Sequence, residues 1–452
     1  MICRVDRLLF RGEGLAINPE DGKKYRIANA LPGELVKAAD PPEDVRARFA
    51  YLEEVIEPSA DRCMPFCAHW QKCPACQFQC MNADVQTQFK KQNWVALIQK
   101  FAKLPETIEF VAPVRRTAYR YRAETVVIGS TLGIAPRPEF RMAQSAQKLP
   151  ESAIPLAQCL LHVPELNALI AHVERFLPEF GCLTNMRFAF EANSLTDTPD
   201  NSRITLYADP DVEAQATQTA GMLAKICPNT VIILQILPPK GSHVYPKPQC
   251  VSATDSAWYG YDTDKNGHTL YALKGAWTPV NPCNAHIVRD RIGSILQSLP
   301  PADILEIGCG CGTHAPLFVD GDYQCKSYTG IDASWPAIQS AQHNAELYGW
   351  KNAAFYTDTA DHYLVKRYYA GRRADIILMH SNRLPYSPQV AQYCQKFGAK
   401  HIIIVSPTAY AIARECQCFE SLGYIIQSLA LCDTMPNTYH MMAVAHLCSS
   451  GM

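Results

Sequence analysis

Asp303-Ile-Leu-Glu-Ile-Gly308-Cys-Gly310-Cys-Gly312-Thr313 is the stretch on which the fold of the second half of the chain turns. A short apolar run, of strand length, ends in three glycines at alternate positions. Ser327-Tyr-Thr-Gly-Ile-Asp332 follows as a second buried strand that ends in an acid. A glycine turn after the first strand lets the backbone come close to a ligand. An acid about 20 residues later, at the end of the second strand, is placed to accept ribose hydroxyls. Gly308, Gly310, Gly312 and Asp332 are therefore the candidate nucleotide-binding residues, with Thr313 and Asp358 at the rim of the same pocket. Ala374-Asp-Ile-Ile-Leu-Met379 and His401-Ile-Ile-Ile-Val-Ser406 continue the strand–loop–helix rhythm, which predicts a doubly wound, Rossmann-like α/β sheet over 276–452. A sheet of this kind that has lost its ligand is the plainer alternative.

Upstream the pattern changes. Residues 1–57 read as short strands with glycine turns, as in Phe10-Arg-Gly-Glu-Gly-Leu-Ala16 and Ala30-Leu-Pro-Gly-Glu-Leu-Val36. This predicts a small OB-like barrel, a shape common among oligonucleotide binders. Residues 58–104 hold a cysteine-dense irregular segment and then a helix over 83–104, carried by Val85, Phe89, Trp94, Leu97 and Phe101. From 105 to 275 strand-like runs (Glu124–Ile128, Ile204–Tyr207, Val231–Ile236) alternate with helix-like ones (Glu165–Phe176, Val212–Ile226), which predicts an α+β middle domain.

A chain of 452 residues with 48% hydrophobic and 19% charged residues is globular and long enough for several domains. Its net charge of −1 argues against a general nucleic-acid coat, so any grip on phosphates must come from a local patch. The sequence holds neither a signal-type segment nor an apolar run of membrane-spanning length, so a cytoplasmic protein without a membrane partner is expected. In a reducing compartment, an odd 19 cysteines point to metal or chemistry more than to disulfides. Cys67-x5-Cys73-x2-Cys76 is spaced for convergence on one centre, zinc or iron–sulfur. Spacing leaves the fourth ligand open among Cys63, Cys80 and a distant cysteine.

Several segments together resemble the uracil-C5 RNA methyltransferases, and in particular the bacterial 23S rRNA (uracil-5-)-methyltransferases that carry iron–sulfur centres. Glu306-Ile-Gly-Cys-Gly-Cys-Gly-Thr313 resembles the first motif of class I S-adenosylmethionine methyltransferases more than the GxGxxG spacing of a dinucleotide dehydrogenase. Cys67-Ala-His-Trp-Gln-Lys-Cys73-Pro-Ala-Cys76-Gln-Phe-Gln79 looks like the family's C-P-H-F-x-x-C-G-G-C-x-x-Q segment. Gln158-Cys159-Leu-Leu-His162 looks like its H-C-P-L segment. The resemblance implies Cys67, Cys73, Cys76 and Cys159 as ligands of a [4Fe–4S] cluster, S-adenosylmethionine as cofactor, and a TRAM-like RNA-binding barrel at the N-terminus. It also implies structured RNA, rRNA or tRNA, as partner, with the protein acting as a monomer. Tyr119-Arg120-Tyr-Arg122 is similar to a Y-R-x-R segment placed to touch RNA, although such arginines also suit a solvated strand face.

The reacting groups depart from that pattern. Uracil C5 becomes nucleophilic only after a thiolate adds to C6, and a base must then remove the C5 proton. The family's S-C-N-P-x-T-L-A-R segment reads Ser406-Pro407-Thr-Ala-Tyr-Ala-Ile-Ala413-Arg414 here, with proline at the nucleophile position. The D-M-F-P-x-T-x-H-x-E segment reads Asp433-Thr-Met-Pro436-Asn-Thr438-Tyr-His440-Met-Met442, with Met442 at the position of the base. D-P-P-R has become His380-Ser-Asn-Arg383, and F-x-Q-V-N-P has become Trp277-Thr-Pro279-Val-Asn281-Pro282. Cys416 and Cys418, nine and eleven residues past position 407 on an expected helix, are poor substitutes, since a nucleophile must be closely placed. The expectation is an RNA-binding relative of these enzymes with no catalytic residue for uracil-C5 chemistry. An active enzyme with a different target atom is the alternative, hinted at by Asn382-Arg-Leu-Pro385-Tyr386 after the fourth strand. A redox or iron-sensing module has only the cysteines in its favour.

Overall fold

The computed structural model describes residues 1–39, 49–135, 153–192, 202–239, 248–252, 258–273, 275–321, 323, 325–381 and 383–450. Five strands, β1 (Ile2–Leu8), β2 (Gly14–Ile17), β3 (Lys24–Ile27), β4 (Leu35–Ala39) and β5 (Phe49–Glu57), close into a barrel in the order β1-β2-β3-β5-β4. Strand alternation turns Cys3, Val5, Ala16, Ile27, Val36 and Ala38 inward, a core of mostly small residues suited to a narrow barrel. Glu34, fully buried, ties the barrel to the cysteine segment. It accepts from Arg62 Nη2 at 2.7 Å and from the Leu31 amide at 2.8 Å, while Arg62 Nη2 also donates to Asn29 O at 2.7 Å.

A seven-stranded sheet forms the middle. In spatial order it runs β13 (Gln249–Cys250), β12 (Val231–Ile236), β11 (Arg203–Ala208), β10 (Met186–Glu191), β7 (Arg122–Ile128), β8 (Thr131–Ile134) and β9 (Ile154–Pro155). Helices Pro164–Glu174 and Glu213–Ile226 pack Leu166, Ile170, Val173, Ala216, Ala220 and Leu223 into its core.

The C-terminal sheet has eight strands: β18 (Ala353–Thr357), β17 (Ser327–Asp332), β16 (Asp303–Ile307), β19 (Ile376–His380), β20 (His401–Ser406), β22 (Met442–Ser449), β21 (Tyr424–Cys432) and β6 (Ile108–Val111). The run from β18 to β20 is parallel, and its strands β16, β19 and β20 are buried on both faces, which is why those segments read as continuous apolar stretches. Among the described residues no helix is long and apolar enough to cross a membrane.

Two sequence boundaries shift. β6 lies within 105–275 by sequence but pairs in parallel with β21 at the edge of the C-terminal sheet. The hairpin β14–β15 (Trp258–Thr263, Thr269–Leu273) likewise shares a core with the C-terminal domain through Tyr259, Tyr261, Leu270 and Ala272. An edge strand borrowed from far upstream leaves no signal in local periodicity. The cysteine-segment helix also ends earlier than its apolar spacing suggests, at Ile98, and its buried residues are Gln86, Lys90, Trp94 and Ile98. Lys90, 1% exposed, donates to Asp433 Oδ1 at 2.6 Å, to Met435 O at 3.0 Å and to His440 O at 3.2 Å. Burial holds its ammonium down, to about 8, against the pull of Asp433.

Lys90→Met is therefore expected to cost about 3–5 kcal/mol, because it leaves Asp433 charged and buried without a partner. Lys90→Met with Asp433→Leu should be more stable than the single variant. Urea unfolding midpoints of the three proteins check the order, and a double variant weaker than the single would contradict it.

Candidate functional site

The glycine loop leaves the carboxyl end of β16 with Gly308, Gly310 and Gly312 at φ +77°, +55° and +76°, left-handed angles that side chains rarely tolerate. A Cβ at Gly308 would stand 3.1 Å from His380 O, so the first glycine is also required by close packing against β19. The Gly310 amide donates to Asp332 Oδ2 at 3.0 Å, and the Ser334 amide donates to Oδ1 at 2.8 Å. Asp332 thus sits against the loop. The two rim residues are more occupied. The Thr313 hydroxyl pairs with the Tyr261 hydroxyl at 2.8 Å. Asp358 accepts from the Thr359 amide at 2.8 Å and pairs with His362 Nδ1 at 2.7 Å, while its amide donates to Asp332 O.

Glu306, on β16 two residues before the first glycine, is fully buried beneath the loop. Its Oε1 lies 2.8 Å from His380 Nε2, out of line for a hydrogen bond, and 3.2 Å from His314 Nδ1. Tyr328 donates to Oε2, and the two imidazoles stack with centroids 4.6 Å apart. Burial opposes the charge on Glu306, but the hydrogen bond from His314 and the closeness of both imidazoles outweigh it and hold the carboxyl down to about 2. Sequence reading noticed His380 only as a lost acid and did not single out His314 or Glu306 as its companions. The available signal was a histidine two positions past the last glycine and a histidine at the end of the fourth strand.

Pro407 and Met442 meet at the same end of the sheet. Ser406 on β20 pairs with Ala443 on β22, so Pro407, just past β20, comes level with Met442, while His380 on β19 pairs with Val405, two residues back along the same end of the sheet. The neighbouring cysteines are elsewhere. Cys416 is 1% exposed in the core, and Cys418 packs against that core. Asn382 lies outside the described residues, so only Arg383–Tyr386 of the proposed post-strand loop is seen. Tyr386 donates its hydroxyl to His380 O at 2.9 Å, and its amide donates to Glu415 Oε1 at 3.1 Å. Burial raises the Glu415 carboxyl to about 7.

Cys67, Cys73, Cys76 and Cys159 line one cavity of about 400 Å3, together with Gln79, Arg120 and His162. The Cys67 amide donates to Gln79 Oε1 at 3.2 Å. Cys63 is turned away, its thiol on Gln79 O and its amide on Cys80 O. Burial pushes the Cys76 thiol up to about 12, reinforced by Cys73 and Cys159 and opposed by Gln79 and Arg120.

The three residues expected at RNA take different places. Tyr119 is 2% exposed and donates to Pro436 O at 3.0 Å, so it is packing between the cysteine segment and the 433–440 loop, not an exposed stacking surface. Arg122 is engaged by Glu124 at 3.0 Å and by Glu191 at 3.4 Å. Arg120 faces the cysteine cavity. Sequence reading did not anticipate the cationic surround of His440. A recessed position comes first, and then Lys90, Arg383, Arg11 and Arg120, in holding its imidazole down near 4. Arg11 comes from the barrel, next to Phe10, whose ring meets Tyr439 at 6.3 Å.

A family model described as a methyltransferase domain matches residues 301–430. Over its full length the chain is similar to proteins named 23S rRNA (uracil(1939)-C(5))-methyltransferase RlmD. Identity is 25% with that of Vibrio cholerae, over 99% of this chain and 95% of the relative, and 27% with that of Tolumonas auensis, over 93% and 90%. Among solved structures, the Pyrococcus abyssi tRNA (uracil-54, C5)-methyltransferase in complex with S-adenosyl-L-homocysteine superposes with a TM-score of 0.71 at 15% identity, covering 99% of this chain and all of that one. The five-stranded barrel followed by a class I methyltransferase-like domain is thus an architecture this chain shares from end to end.

Proposed function

We propose that this chain, a full-length homologue of the uracil-C5 RNA methyltransferases, binds structured RNA and the methyl donor S-adenosylmethionine, carries a [4Fe–4S] cluster, and does not make 5-methyluridine. The observation that carries the last point is the side-by-side placement of Pro407 and Met442 at the strand ends where the related chemistry needs a thiolate and a carboxylate. Proline has no nucleophilic atom and methionine no basic one, so C6 is not attacked and C5 stays inert. Cys416 is too deep to replace the thiolate. RNA binding is supported by Arg11, Arg120 and Arg383 around His440, a local patch on a chain of net charge −1. The N-terminal barrel, read as TRAM-like, supplies Arg11 and Phe10 to that patch.

Donor binding is supported by the left-handed glycines and by Asp332 held against them. Pro279 and His380 replace residues expected to face the donor, so weaker affinity is expected. Isothermal calorimetry with S-adenosylmethionine or its demethylated product should give heat with the wild type and at least tenfold weaker binding with Asp332→Ala. No heat with either ligand would remove donor binding from the proposal.

For the cluster, the fit lies in four thiols from two distant segments on one cavity, with Arg120 beside them to offset thiolate charge. Cys67, Cys73, Cys76 and Cys159 would hold it, and when bound it would supply a structural and electron-accepting centre. Anaerobically purified protein should be brown, with about four irons per chain. Cys159→Ser should bleach it, and Cys63→Ser should not. Stoichiometric zinc without iron would overturn the assignment.

The activity test incubates wild-type protein with labelled methyl donor and total RNA, followed by nucleoside analysis. No labelled 5-methyluridine above a no-enzyme control is expected. Its appearance would defeat the reading, whereas label on another atom would establish a methyltransferase of altered target. Pro407→Cys alone should give no turnover, since Met442 still leaves the C5 proton in place.

A further inference from the structure

The opposite end of the C-terminal sheet carries a second cluster of donor atoms. β20 begins at His401, about 20 Å from Pro407 at the spacing of a strand. Its antiparallel partner β22 ends near Cys448. In this register His401 faces Cys448, and His446 stands opposite Ile403, so the three side chains share one face. That face is otherwise apolar, with Ile403, Val405 and Val444. His401 and His446 are 9% and 8% exposed, and Cys448 lies at the rim. Ile425, opposite Cys448 on β21, is 54% exposed, so this end of the face opens to solvent.

We propose that His401, His446 and Cys448 bind a single divalent cation of zinc type. One atom from each residue points inward. His401 Nδ1 lies 3.2 Å from His446 Nε2 and 3.2 Å from Cys448 Sγ, and Cys448 Sγ lies 3.5 Å from His446 Nε2. An ion about 2.0–2.1 Å from nitrogen and about 2.3 Å from sulfur, with tetrahedral angles, spaces its ligands roughly 3.3 Å apart for two nitrogens and roughly 3.6 Å for nitrogen and sulfur. The His401–His446 and His446–Cys448 separations match one face of that tetrahedron to about 0.1 Å, and the His401–Cys448 pair would open by about 0.4 Å on binding. The set of two imidazoles and one thiolate suits zinc or a similarly soft ion over magnesium or calcium. The ladder between β20 and β22 fixes the three Cα positions, so little ordering is needed on binding. Solvent at the rim supplies a fourth ligand, and the thiol proton leaves to solvent as the sulfur–metal bond forms. Asp375 acts on His401 in favour of a cation, while Lys400 and Arg291 act on His401 and His446 against one. Such an ion would pin the start of β20 to the end of β22.

A hydrogen-bonded chain from the Cys448 thiol through the two imidazoles would satisfy the same atoms without metal, and the test separates the two. Full-length wild-type protein, Cys448→Ser, His401→Gln and Cys159→Ser are titrated with cobalt(II) alone and followed by difference spectra, so that the other cysteine cavity is controlled. The wild type should develop tetrahedral visible bands and a near-ultraviolet thiolate-to-cobalt band. Cys159→Ser should keep them. Cys448→Ser should lose the part of the thiolate band that Cys159→Ser keeps, and at that site both Cys448→Ser and His401→Gln should bind on the order of 100-fold more weakly, the upper end of what even outer-sphere partners cost a metal site. Zinc(II) should raise the Tm of the wild type and of Cys159→Ser but not that of Cys448→Ser, a readout that also reports whether the variants are folded. Equal affinity and equal spectra in wild type and Cys448→Ser, or no thiolate band in the wild type, would overturn the proposal.

Discussion

The fully buried pair between Lys90 and Asp433 anchors the loop from Asp433 to His440, through which the cysteine segment and the C-terminal sheet are joined. An ammonium in a dry interior must have every proton accepted, and Lys90 meets that demand with one carboxylate oxygen and two carbonyls of the same loop. Asn437, at φ +65°, then becomes a junction. Its carbonyl accepts from the Gln77 and Phe78 amides, its amide donates to Gln86 Oε1, and its side chain donates to Arg116 O. Thr434 O accepts from Asn281 and Asn284, and Pro436 O from Tyr119. One loop therefore ties the cysteine segment, its helix, the approach to β7 and the start of the Pro282–Gln297 helix to the end of β21.

That arrangement makes the cysteine cavity and the cofactor end of the sheet parts of one structure. The residues just after Cys76 hydrogen-bond to Asn437, five residues before Met442, and Tyr119 packs beside Cys76 and Leu161 while reaching Pro436. On the other side Glu34 and Arg62 fasten the barrel to the same segment, so Arg11 is carried to within electrostatic reach of His440. A group held by the four cysteines would stiffen the very segment that positions the loop. The part such a group would play here is mechanical, through the 433–440 loop, whether or not electrons pass through it.

What the sequence revealed and what it concealed divide along physical lines. The strand, three glycines and distant acid were legible because backbone conformation dictates residue type there: φ values near +55° to +77° call for glycine, and an acid at a strand end is conspicuous among Ile and Val. The cysteine quartet was legible only through resemblance, since nothing local links Cys159 to Cys76. The helix after the cysteines misled through its apolar spacing. Leu97 and Phe101 suggested one face, while Gln86 and Lys90 were buried by partners some 350 residues away, as the separations of 351 and 343 show. Partners at that distance leave no periodicity. The same holds for β6, whose four residues join a sheet built from the other end of the chain, and for Glu306, whose meaning depends on two histidines brought in by separate elements.

The structure around positions 407 and 442 is closely packed. Ser406 is fully buried with its hydroxyl capping the turn to the Thr408 backbone, and Glu415 accepts from Ser381 and Tyr386. Met442 packs partly into the core instead of presenting a charge. His380 and His314 bracket Glu306 so closely that its carboxyl is held near 2 although fully buried, a state that requires both imidazoles in place. Positions 407 and 442 thus stand on a packed, hydrogen-bonded frame that fixes where their side chains lie whatever chemistry they carry. Uracil-C5 transfer by thiolate addition needs a nucleophile and a base, two atoms that proline and methionine do not provide.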